Sequence, residues 1–532
     1  MKTLRAVFLV LCFLPCLANA QASQDPSAKT AAITVDAHFE NGYIGSYVFT
    51  SPDTLELSAR SGDLASWYSF RLKGVKGKKI NFVIEWKNKG KIFIPNYNGR
   101  INDKTMVTYD GKGYEIIKDQ EFVPMQPETI SDQYFSGNFR QKFSHLFREN
   151  EALVSYAAPF PNSRVDQLAE QLKGDPRVTM ESIGNSRFKH LPIRYFKLTD
   201  SSVPDAGKKR IFITGREDSY EVGGSWATEG IMRFLLSKDP VAVASLKNLV
   251  FYIFPIFSVD GVAMGSTNFP LSEDGLQYIY VTAQWNREQP YEEVRLMKAF
   301  WDKLKTSGEN IDVALKCHAT CYWECHFRPE DCAPDNKDNS RKLLGMLRGN
   351  LPWRAEAGPL GPGGVAYMNA EFIKVFPNAI TYSSHNDFVF TKNYLKTNEP
   401  VIRRHEDVLQ DGELIVRAFA EYFGIPRAAE VAPFLMAGDV NTNNGKKGDT
   451  VHFWCYYYDV NKKPAQKVLL VIGDHRYEMK APKEPDYSKP VRFECEVTLA
   501  EKRNDYHFEA TNGSKDRRIP EQYELPGPFL VE

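Results

Sequence analysis

The sequence has no excess of charge of either sign. It holds 67 basic and 67 acidic residues among 532, with no block of like charge that would mark an interaction tail. Because proteins that bind nucleic acid carry an excess of Lys and Arg, this balance argues against nucleic acid as a partner. Internal repeats and low-complexity segments are also missing. We therefore expect globular domains, and about 150 residues per domain suggests two to four of them.

Long apolar runs are scarce as well. The one near the N-terminus, residues 6–17, follows Lys2 and Arg5 and precedes a small-x-small cleavage signal at residues 18–20. It is too short to span a bilayer, and no later run is long and apolar enough for a membrane helix. The sequence thus predicts a signal peptide at residues 1–20 and an exported protein, secreted or periplasmic.

Cysteine is rare, with 8 residues in the whole chain, six of them after the signal peptide. An even number in an oxidising compartment favours disulfides. Cys455 and Cys495 lie in two strand-like runs and are predicted to pair. The other four crowd into one short loop: Cys317, Cys321, Cys325 and Cys332. Disulfides are favoured there by the compartment, their connectivity is left open, and a metal site is the alternative.

Short alternating apolar runs predict an all-β part at each end of the chain. Near the N-terminus, residues 67–72 and 80–86 alternate with period two around a glycine-containing turn, which is typical of strands. We predict an N-terminal β-sandwich over residues 21–150. Residues 427–532 contain similar short strand-like runs and predict a C-terminal immunoglobulin- or fibronectin-like sandwich.

Between these parts, residues 151–426 alternate strand-like and helix-like segments, which predicts an α/β domain with a mixed sheet. The most informative stretch begins with an apolar, β-branched run at residues 210–215. A polar turn, a pair of glycines and an apolar-periodic segment typical of a helix follow. Asp218 and Glu221 lie on the turn. Open α/β sheets place their active sites at this kind of strand-to-helix junction.

This stretch resembles the first metal-binding segment of zinc carboxypeptidases of the M14 family, in particular the cytosolic-carboxypeptidase-like branch. The family pattern Arg-x-His-x-x-Glu falls on Arg216, Asp218 and Glu221, and Gly-Ser-Trp follows as in that branch. The resemblance runs from the first β-domain to Gly424. It implies a carboxypeptidase-like central domain flanked by two all-β sandwich domains. It also implies hydrolysis at the C-termini of peptides or proteins by a metal-activated water.

The same resemblance implies a metal site formed by Asp218, Glu221 and His318. Zinc is the expected ion, and Asp is an acceptable zinc ligand. Asp218 replaces a histidine, however, and oxygen-rich ligation favours harder ions, so another divalent ion is open. Lys316 stands where the family has an acid that supports the second histidine.

Substrate binding is implied by the run Gln-Trp-Asn286-Arg287, which resembles the family's Asp-x-Asn-Arg. Asn286 and Arg287 would grip the terminal carboxylate of a peptide. Residues 258–265 resemble the family's Asn-Pro-Asp-Gly-Val segment. The arginine that polarises the scissile carbonyl should follow it, but Asn268 occupies that neighbourhood, and no Arg lies between Arg233 and Arg287.

The general base is the largest departure from the family. The run Thr-Tyr-Ser-Ser-His matches the family's Thr-x-Glu-x-Ser and places the glutamate position on Ser383. A serine cannot take a proton from a metal-bound water at neutral pH, and the loss of a base typically costs about 10²–10⁴-fold in rate. His385 and Asp387 are the substitutes on the same strand. A different register would bring in the nearest glutamates, Glu371 and Glu399.

Three hypotheses follow. The first is an exported M14-type carboxypeptidase with altered metal ligation. The second is a pseudoenzyme that keeps Arg287 and binds peptides or polymers without efficient catalysis. The third is a related metal-dependent amidase. The sequence determines neither the substrate nor the oligomeric state.

Overall fold

The structure is a computed structural model. It describes residues 32–61, 66–86, 105–124, 139–279, 281–319, 326–329, 336–356, 367–386, 389–390 and 401–531. The predicted signal peptide lies outside these ranges, as do Cys321, Cys325, Cys332 and Asp387. Within them, every helix is too short or too polar to cross a membrane.

The N-terminal part of the chain forms two five-stranded sheets, ordered β1-β6-β12-β8-β9 and β10-β11-β7-β3-β2. The strands are β1 (Thr34–Asp36), β2 (Tyr47–Ser51), β3 (Thr54–Ser58), β4 (Arg60–Ser61), β5 (Ser66–Trp67), β6 (Ser69–Lys73), β7 (Lys79–Trp86), β8 (Met106–Thr108), β9 (Glu115–Ile116), β10 (Glu121–Pro124), β11 (Phe139–Leu146) and β12 (Glu151–Ser155). The alternation predicted for residues 80–86 is confirmed in β7, where every second side chain is buried. Because β12 pairs with β6 and β8, this part extends to Ser155 and does not end at residue 150.

The central part is built on an eight-stranded sheet, ordered β13-β14-β16-β15-β19-β22-β20-β21. Its strands are β13 (Val178–Asn185), β14 (Pro192–Leu198), β15 (Lys209–Gly215), β16 (Leu249–Phe254), β17 (Phe269–Pro270), β18 (Tyr278–Ile279), β19 (Val313–His318), β20 (His326–Pro329), β21 (Ala355–Glu356), β22 (Ile380–His385), β23 (Val389–Phe390) and β24 (Val401–Ile402). The four central strands β16, β15, β19 and β22 run parallel. Strand β14 is antiparallel to both of its neighbours, whereas β20 is antiparallel to β22 and parallel to β21. The predicted mixed sheet is confirmed.

Helices cover the faces of this sheet. They are α1 (Asn162–Gln171), α2 (Val222–Leu235), α3 (Pro240–Asn248), α4 (Val259–Ala263), α5 (Glu292–Thr306), α6 (Lys337–Asn350), α7 (Tyr367–Val375) and α8 (His405–Tyr422). Since both faces are covered, the central strands are buried throughout and read as continuous apolar runs; all six residues of β16 are buried.

Helices α2 and α8 cross at two glycines. A Cβ atom on Gly230 would lie 2.1 Å from the carbonyl oxygen of Leu409, and one on Gly412 would lie 2.3 Å from the backbone nitrogen of Ile231. Any side chain at either position would therefore push the helices apart. This close crossing fixes α2 against the sheet.

The C-terminal part contains a three-stranded sheet, β25-β27-β30, and a four-stranded sheet, β29-β28-β31-β32. Its strands are β25 (Phe434–Val440), β26 (Asn444–Gly445), β27 (Thr450–Tyr458), β28 (Lys467–Ile472), β29 (His475–Glu478), β30 (Val491–Thr498), β31 (Tyr506–Thr511), β32 (Asp516–Ile519) and β33 (Phe529–Leu530). This part encloses an apolar cluster of its own, while the N-terminal and central parts share a single one.

The prediction that Cys455 and Cys495 form a disulfide is wrong, because both are free thiols. Strands β27 and β30 place Cys455 opposite Phe493 and Cys495 opposite Phe453. The two cysteines are therefore diagonal neighbours, which lie about 7–8 Å apart between Cα atoms, whereas a disulfide needs about 4.4–6.8 Å. Cys317 in β19 is also a free thiol and is buried in the core.

Arg404, directly before α8, joins the three parts of the chain. Its buried guanidinium donates hydrogen bonds to the carbonyl oxygens of Tyr114 and of Gly438, the latter at 2.9 Å, and binds the carboxylate of Asp439 at 2.9 Å. Tyr114 belongs to the N-terminal part and the other two to β25. The planar fork of arginine can satisfy several fixed acceptors at once.

A buried acid lies close to this junction. Burial raises the pKa of Glu115 in β9 from its ordinary value of 4.5 to about 7, although the nearby cations Arg148 and Lys118 partly offset the shift. The folded protein therefore keeps a proton on Glu115 at a pH at which the unfolded chain has released it. The free energy of unfolding must fall as the pH rises between these two pKa values.

We expect Glu115→Gln to remove this part of the pH dependence. The variant should equal the wild type near pH 5 and exceed it by about 1–3 kcal/mol near pH 8, because the amide needs no deprotonation. Denaturant unfolding at the two pH values measures the difference. Glu170→Gln, on an exposed position of α1, is the matched control and should behave as the wild type. Parallel curves for wild type and Glu115→Gln would contradict the prediction.

Candidate functional site

The turn after β15 is held by Arg216. This residue has a φ of 56°, in the left-handed region that side chains other than glycine rarely adopt. Its buried guanidinium donates to the carbonyl oxygen of Ser219 at 2.6 Å and to that of Phe160 at 3.0 Å. These bonds hold an otherwise strained turn in place. The turn then directs the chain into α2, with Asp218 and Glu221 on the way.

The start of α2 packs directly on the ends of two strands. A Cβ atom on Gly223 would lie 2.0 Å from the carbonyl oxygen of Asn386, and one on Gly224 would lie 2.1 Å from that of Cys317. The pair of glycines therefore allows the helix to touch the ends of β22 and β19. Glu221, directly before the helix, is brought to the carboxyl end of β19.

Glu221 meets His318 at this point. The Nδ1 atom of His318 lies 2.8 Å from the Oε1 atom of Glu221, within hydrogen-bond distance. His385, opposite His318 on the neighbouring strand β22, stacks on it with ring centroids 5.2 Å apart and ring planes 13° apart. The structure thus brings together one carboxylate and two imidazoles at the end of the sheet.

Asp218 points to a different set of groups. Its carboxyl group is buried against the backbone N–H of Val281 and the side chain of Asn268, and burial raises the pKa of Asp218 to about 7. Across the described ranges, no group of three or more His, Cys, Asp or Glu side chains is placed to hold a metal ion. In this arrangement the predicted donor set does not fit zinc, which needs three converging protein ligands. Metal binding by Asp218, Glu221 and His318 stays a prediction.

A buried ion pair lies next to these residues. The ammonium group of Lys316 contacts the carboxylate of Glu217, and both side chains are at most 2% exposed. The other oxygen of Glu217 accepts a hydrogen bond of 2.5 Å from the indole of Trp285, and Trp285 stacks on Trp301. Lys316 stands out in the sequence as a departure from the family pattern, whereas nothing in the local sequence marks Glu217 as its partner. A lysine within a buried strand requires an acidic partner, and that requirement could have drawn attention to the acid beside Arg216.

Ser383 lies in β22 directly opposite Lys316 and is buried. Since side chains alternate along a strand, Ser383 and His385 project from the same face of the sheet. The position predicted for the base therefore carries a hydroxyl, and the nearest imidazole on that face is already stacked on His318.

Asn286 and Arg287 follow the short 3₁₀ helix Val281–Gln284 and are both exposed. The residue before them, Trp285, is fully buried and fixed by its bond to Glu217. Arg287 makes no ion pair with any residue that the structure describes, so its guanidinium is available to an anionic group from solution.

Asp260 has a structural role that the sequence analysis did not predict. Its carboxylate accepts hydrogen bonds from the Ser186 hydroxyl at 2.6 Å and from the backbone N–H groups of Phe188 and Lys189 at 2.8 and 3.0 Å. Charge-assisted bonds of this kind fix loops strongly. The Ser-Val-Asp-Gly-Val segment is thus tied to the loop between β13 and β14.

Comparison with known proteins agrees with the fold. Residues 165–315 match the family model of zinc carboxypeptidases, Peptidase_M14. The chain is 25% identical to cytosolic carboxypeptidase 6 of Mus musculus over 258 residues, which are 45% of this chain and 44% of that protein. It is 26% identical to cytosolic carboxypeptidase 1 of Homo sapiens over 183 residues, which are 34% of this chain and 14% of that protein.

Solved structures share the fold. A metallo-carboxypeptidase from Burkholderia cenocepacia superimposes with a TM-score of 0.58 and 16% identity, over 74% of this chain and 99% of that chain. A metallo-carboxypeptidase from Pseudomonas aeruginosa gives 0.56 and 15%, over 73% and 99%. At these identities the likeness establishes a carboxypeptidase-like fold.

Fold, family model and relatives together define the class: the chain is an M14 carboxypeptidase-like protein. Its relatives match only in part, since the chain spans less than half the length of the two cytosolic carboxypeptidases named above. The activity and substrates of those proteins are therefore not transferred by the match alone.

We expect Lys316→Met to destabilise the protein by about 3–5 kcal/mol, because it leaves the Glu217 carboxylate buried without its cation. Lys316→Met combined with Glu217→Gln should recover part of the loss, since the uncompensated charge is then removed. Denaturant unfolding of both single variants and the double variant gives the coupling energy. Lys303→Met, on an exposed position of α5, is the matched control. A loss below about 1 kcal/mol for Lys316→Met, the size of an exposed pair, would show that the contact carries little energy.

Proposed function

We propose that this protein binds the C-termini of peptides or proteins at the carboxyl ends of β15, β19 and β22, and that it hydrolyses them slowly or not at all. The observation that carries the proposal is that charged side chains of the site pair with one another. Glu221 lies within hydrogen-bond distance of His318, and Lys316 is paired with Glu217, so each of these charged groups already has a partner within the chain. A hydrolytic zinc site would need donors converging on an open coordination position.

Two further differences from the residues of the M14 family affect the same step, the attack of water on the peptide bond. The position of the base holds Ser383, and the neighbourhood of the carbonyl-polarising arginine holds Asn268. Loss of a base costs about 10²–10⁴-fold, and loss of one oxyanion donor costs about 10²–10³-fold. Together these changes argue against efficient peptide hydrolysis.

Binding is supported by the exposed Asn286-Arg287 pair. Trp285 fixes the backbone that carries them, because its indole is bonded to Glu217 and its ring is stacked in the core. A guanidinium can bind a carboxylate through two parallel hydrogen bonds, which recognises a chain terminus specifically. A rigid segment also loses little conformational freedom on binding.

A metal-dependent carboxypeptidase or amidase is the competing candidate, and one observation favours it. His385 lies beside His318, so two imidazoles and the Glu221 carboxylate share one end of the sheet. These are the donor types found in catalytic zinc sites. Zinc, or another divalent ion, held by these residues would supply the activated water.

The test compares a peptide that has a free C-terminus with the same peptide as its C-terminal amide. We expect the wild type to prefer the free carboxylate, and Arg287→Ala to weaken that binding by about tenfold or more, because a charge-assisted bond is lost. Arg287→Lys should recover only part of it, since lysine lacks the fork. Arg295→Ala, an exposed arginine on α5, is the matched control. Calorimetric titration measures all four proteins.

Hydrolysis is assayed in parallel with added zinc or manganese. Metal-dependent release of the C-terminal residue that disappears in Glu221→Gln would overturn the non-catalytic proposal and establish the competing candidate. Equal affinity for the acid and the amide would exclude recognition of the C-terminus.

We also propose export by the segment at residues 1–20, a β-sandwich in the N-terminal part of the chain, and an immunoglobulin- or fibronectin-like sandwich in its C-terminal part. The export proposal rests on the positive, apolar and small-residue order of that segment. Expression of the full chain and sequencing of the N-terminus tests it. We expect the mature protein to begin at Gln21, and retention of Met1 in the exporting host would contradict cleavage.

A further inference from the structure

The segment that presents Arg287 is a tight turn. The 3₁₀ helix Val281–Gln284 ends directly before Trp285, and the backbone N–H of Arg287 donates to the carbonyl oxygen of Gln284 at 3.3 Å. Asn286 and Arg287 are therefore the last two residues of a four-residue turn. Carbonyl oxygens at the end of a helix lack a partner within it and need one from elsewhere. The orientation of the turn thus depends on what holds Trp285.

Helix α5 holds Trp285 with two side chains one turn apart. Trp301 stacks on its indole, with ring centroids 5.3 Å apart and ring planes 11° apart. The ammonium group of Lys298 donates a hydrogen bond of 2.6 Å to the backbone carbonyl oxygen of Trp285. Residues three apart are neighbours on the surface of a helix, so one face of α5 binds both the ring and the backbone of Trp285. The bond from Lys298 is charge-assisted and therefore strong.

Glu371 of α7 orients Lys298. Its Oε2 atom accepts a hydrogen bond of 2.9 Å from the ammonium group of Lys298, and its Oε1 atom contacts the ammonium group of Lys374. Although burial alone would raise the pKa of Glu371, the two lysines hold it below its ordinary value. A carboxylate held in this way is a poor proton acceptor. Glu371, which a different register of the sequence would offer as the general base, serves instead to anchor Lys298.

The pair between Lys298 and Glu371 is partly shielded from water. The two side chains are 28% and 15% exposed, and salt screens a partly buried pair less than an exposed one. An ordinary ion pair between helices would fix only α5 against α7. Here the same ammonium group also reaches the backbone of the turn that carries Arg287.

From this geometry we propose that Lys298 is a positioning residue for the recognition of C-termini. It holds the carbonyl group of Trp285 and so orients the turn that carries Asn286 and Arg287, without touching the ligand itself. This inference rests on the function proposed above for Arg287. Without the bond from Lys298, the turn would have to be ordered when a ligand binds, and that ordering costs affinity.

Hydrogen exchange in the free protein tests whether Lys298 holds the turn. Lys298→Met keeps the aliphatic stem and removes the donor. We expect the backbone amides of residues 285–288 to exchange at least about threefold faster in this variant, while those of α5 are unchanged, because only the turn loses a contact. Lys298→Arg keeps a donor and should restore slow exchange at least in part. Lys303→Met, at an exposed position of α5, is the matched control.

Calorimetric titration of the same variants tests the effect on recognition, with the peptide acid and its C-terminal amide as ligands. We expect Lys298→Met to weaken binding of the acid by about three- to tenfold. Lys298→Arg should recover part of this loss, and Lys303→Met should equal the wild type. Since Lys298 acts through Arg287, adding Lys298→Met to Arg287→Ala should cause no further loss. A purely structural role of Lys298 would weaken both backgrounds equally.

Exchange at residues 285–288 that is unchanged in Lys298→Met would overturn the inference. So would exchange that rises equally throughout α5 and the sheet, since it would report a general loss of stability. Faster exchange of the turn with unaltered affinity would show that recognition does not need Lys298. Equal binding of acid and amide by the wild type would instead refute the proposed function, and the recognition role of Lys298 with it. The two failures are distinct, because one appears in the wild type and the other only in the variant.

Discussion

The ion pair between Glu217 and Lys316 is the interaction on which the centre of this molecule depends. Both side chains are almost completely removed from water, and a charge in such surroundings is tolerated only when it is paired. The pair connects the turn after β15 to the neighbouring strand β19. Through the indole of Trp285 it also fixes the segment that presents Arg287. The carboxyl ends of β15 and β19 are thereby held together by two oppositely charged side chains of the protein.

Close packing of backbone brings the other site residues to the same place. Gly223 and Gly224 let α2 begin directly on the ends of β22 and β19, and this contact places Glu221 against His318. At the far end, the glycine crossing between α2 and α8 keeps the helix from moving outward. The same helix thus separates two regions of different character. One, at its N-terminus, is a polar centre whose charged side chains pair with one another, and the other, at its C-terminal end, is a cavity lined by α2, α8 and the C-terminal part of the chain.

The flanking parts are joined to the central one by buried polar contacts as well as by apolar surface. Arg404 bonds to groups of the N-terminal part and of β25, and Arg417 and Arg517 share Glu413 across the second interface. Breaking one partner of such a network leaves the others unsatisfied in a medium of low dielectric constant. The three parts should therefore behave as one body.

Much of this architecture could be predicted from local sequence. The strand, turn and helix around Asp218 and Glu221, the alternation in β7 and the continuous apolar run of β16 follow from hydrophobic periodicity, which is a property of neighbouring residues. The order of the motifs was enough to predict that Glu221 and His318 belong to one site, and the structure brings these two side chains together.

Other features depended on contacts between distant segments. The register of β27 and β30 separates Cys455 from Cys495 by one diagonal step, and no local pattern specifies that register. The direction of Asp218 follows from the left-handed turn at Arg216, which is held by a carbonyl oxygen from another part of the chain. The partner of Lys316 is likewise chosen by the packing of two strands and a loop. The sequence alone determined the elements and the chemical types available at the site. Only the tertiary structure decided which charges neutralise one another, because that depends on distances between segments far apart in the sequence, which hydrophobic periodicity does not specify.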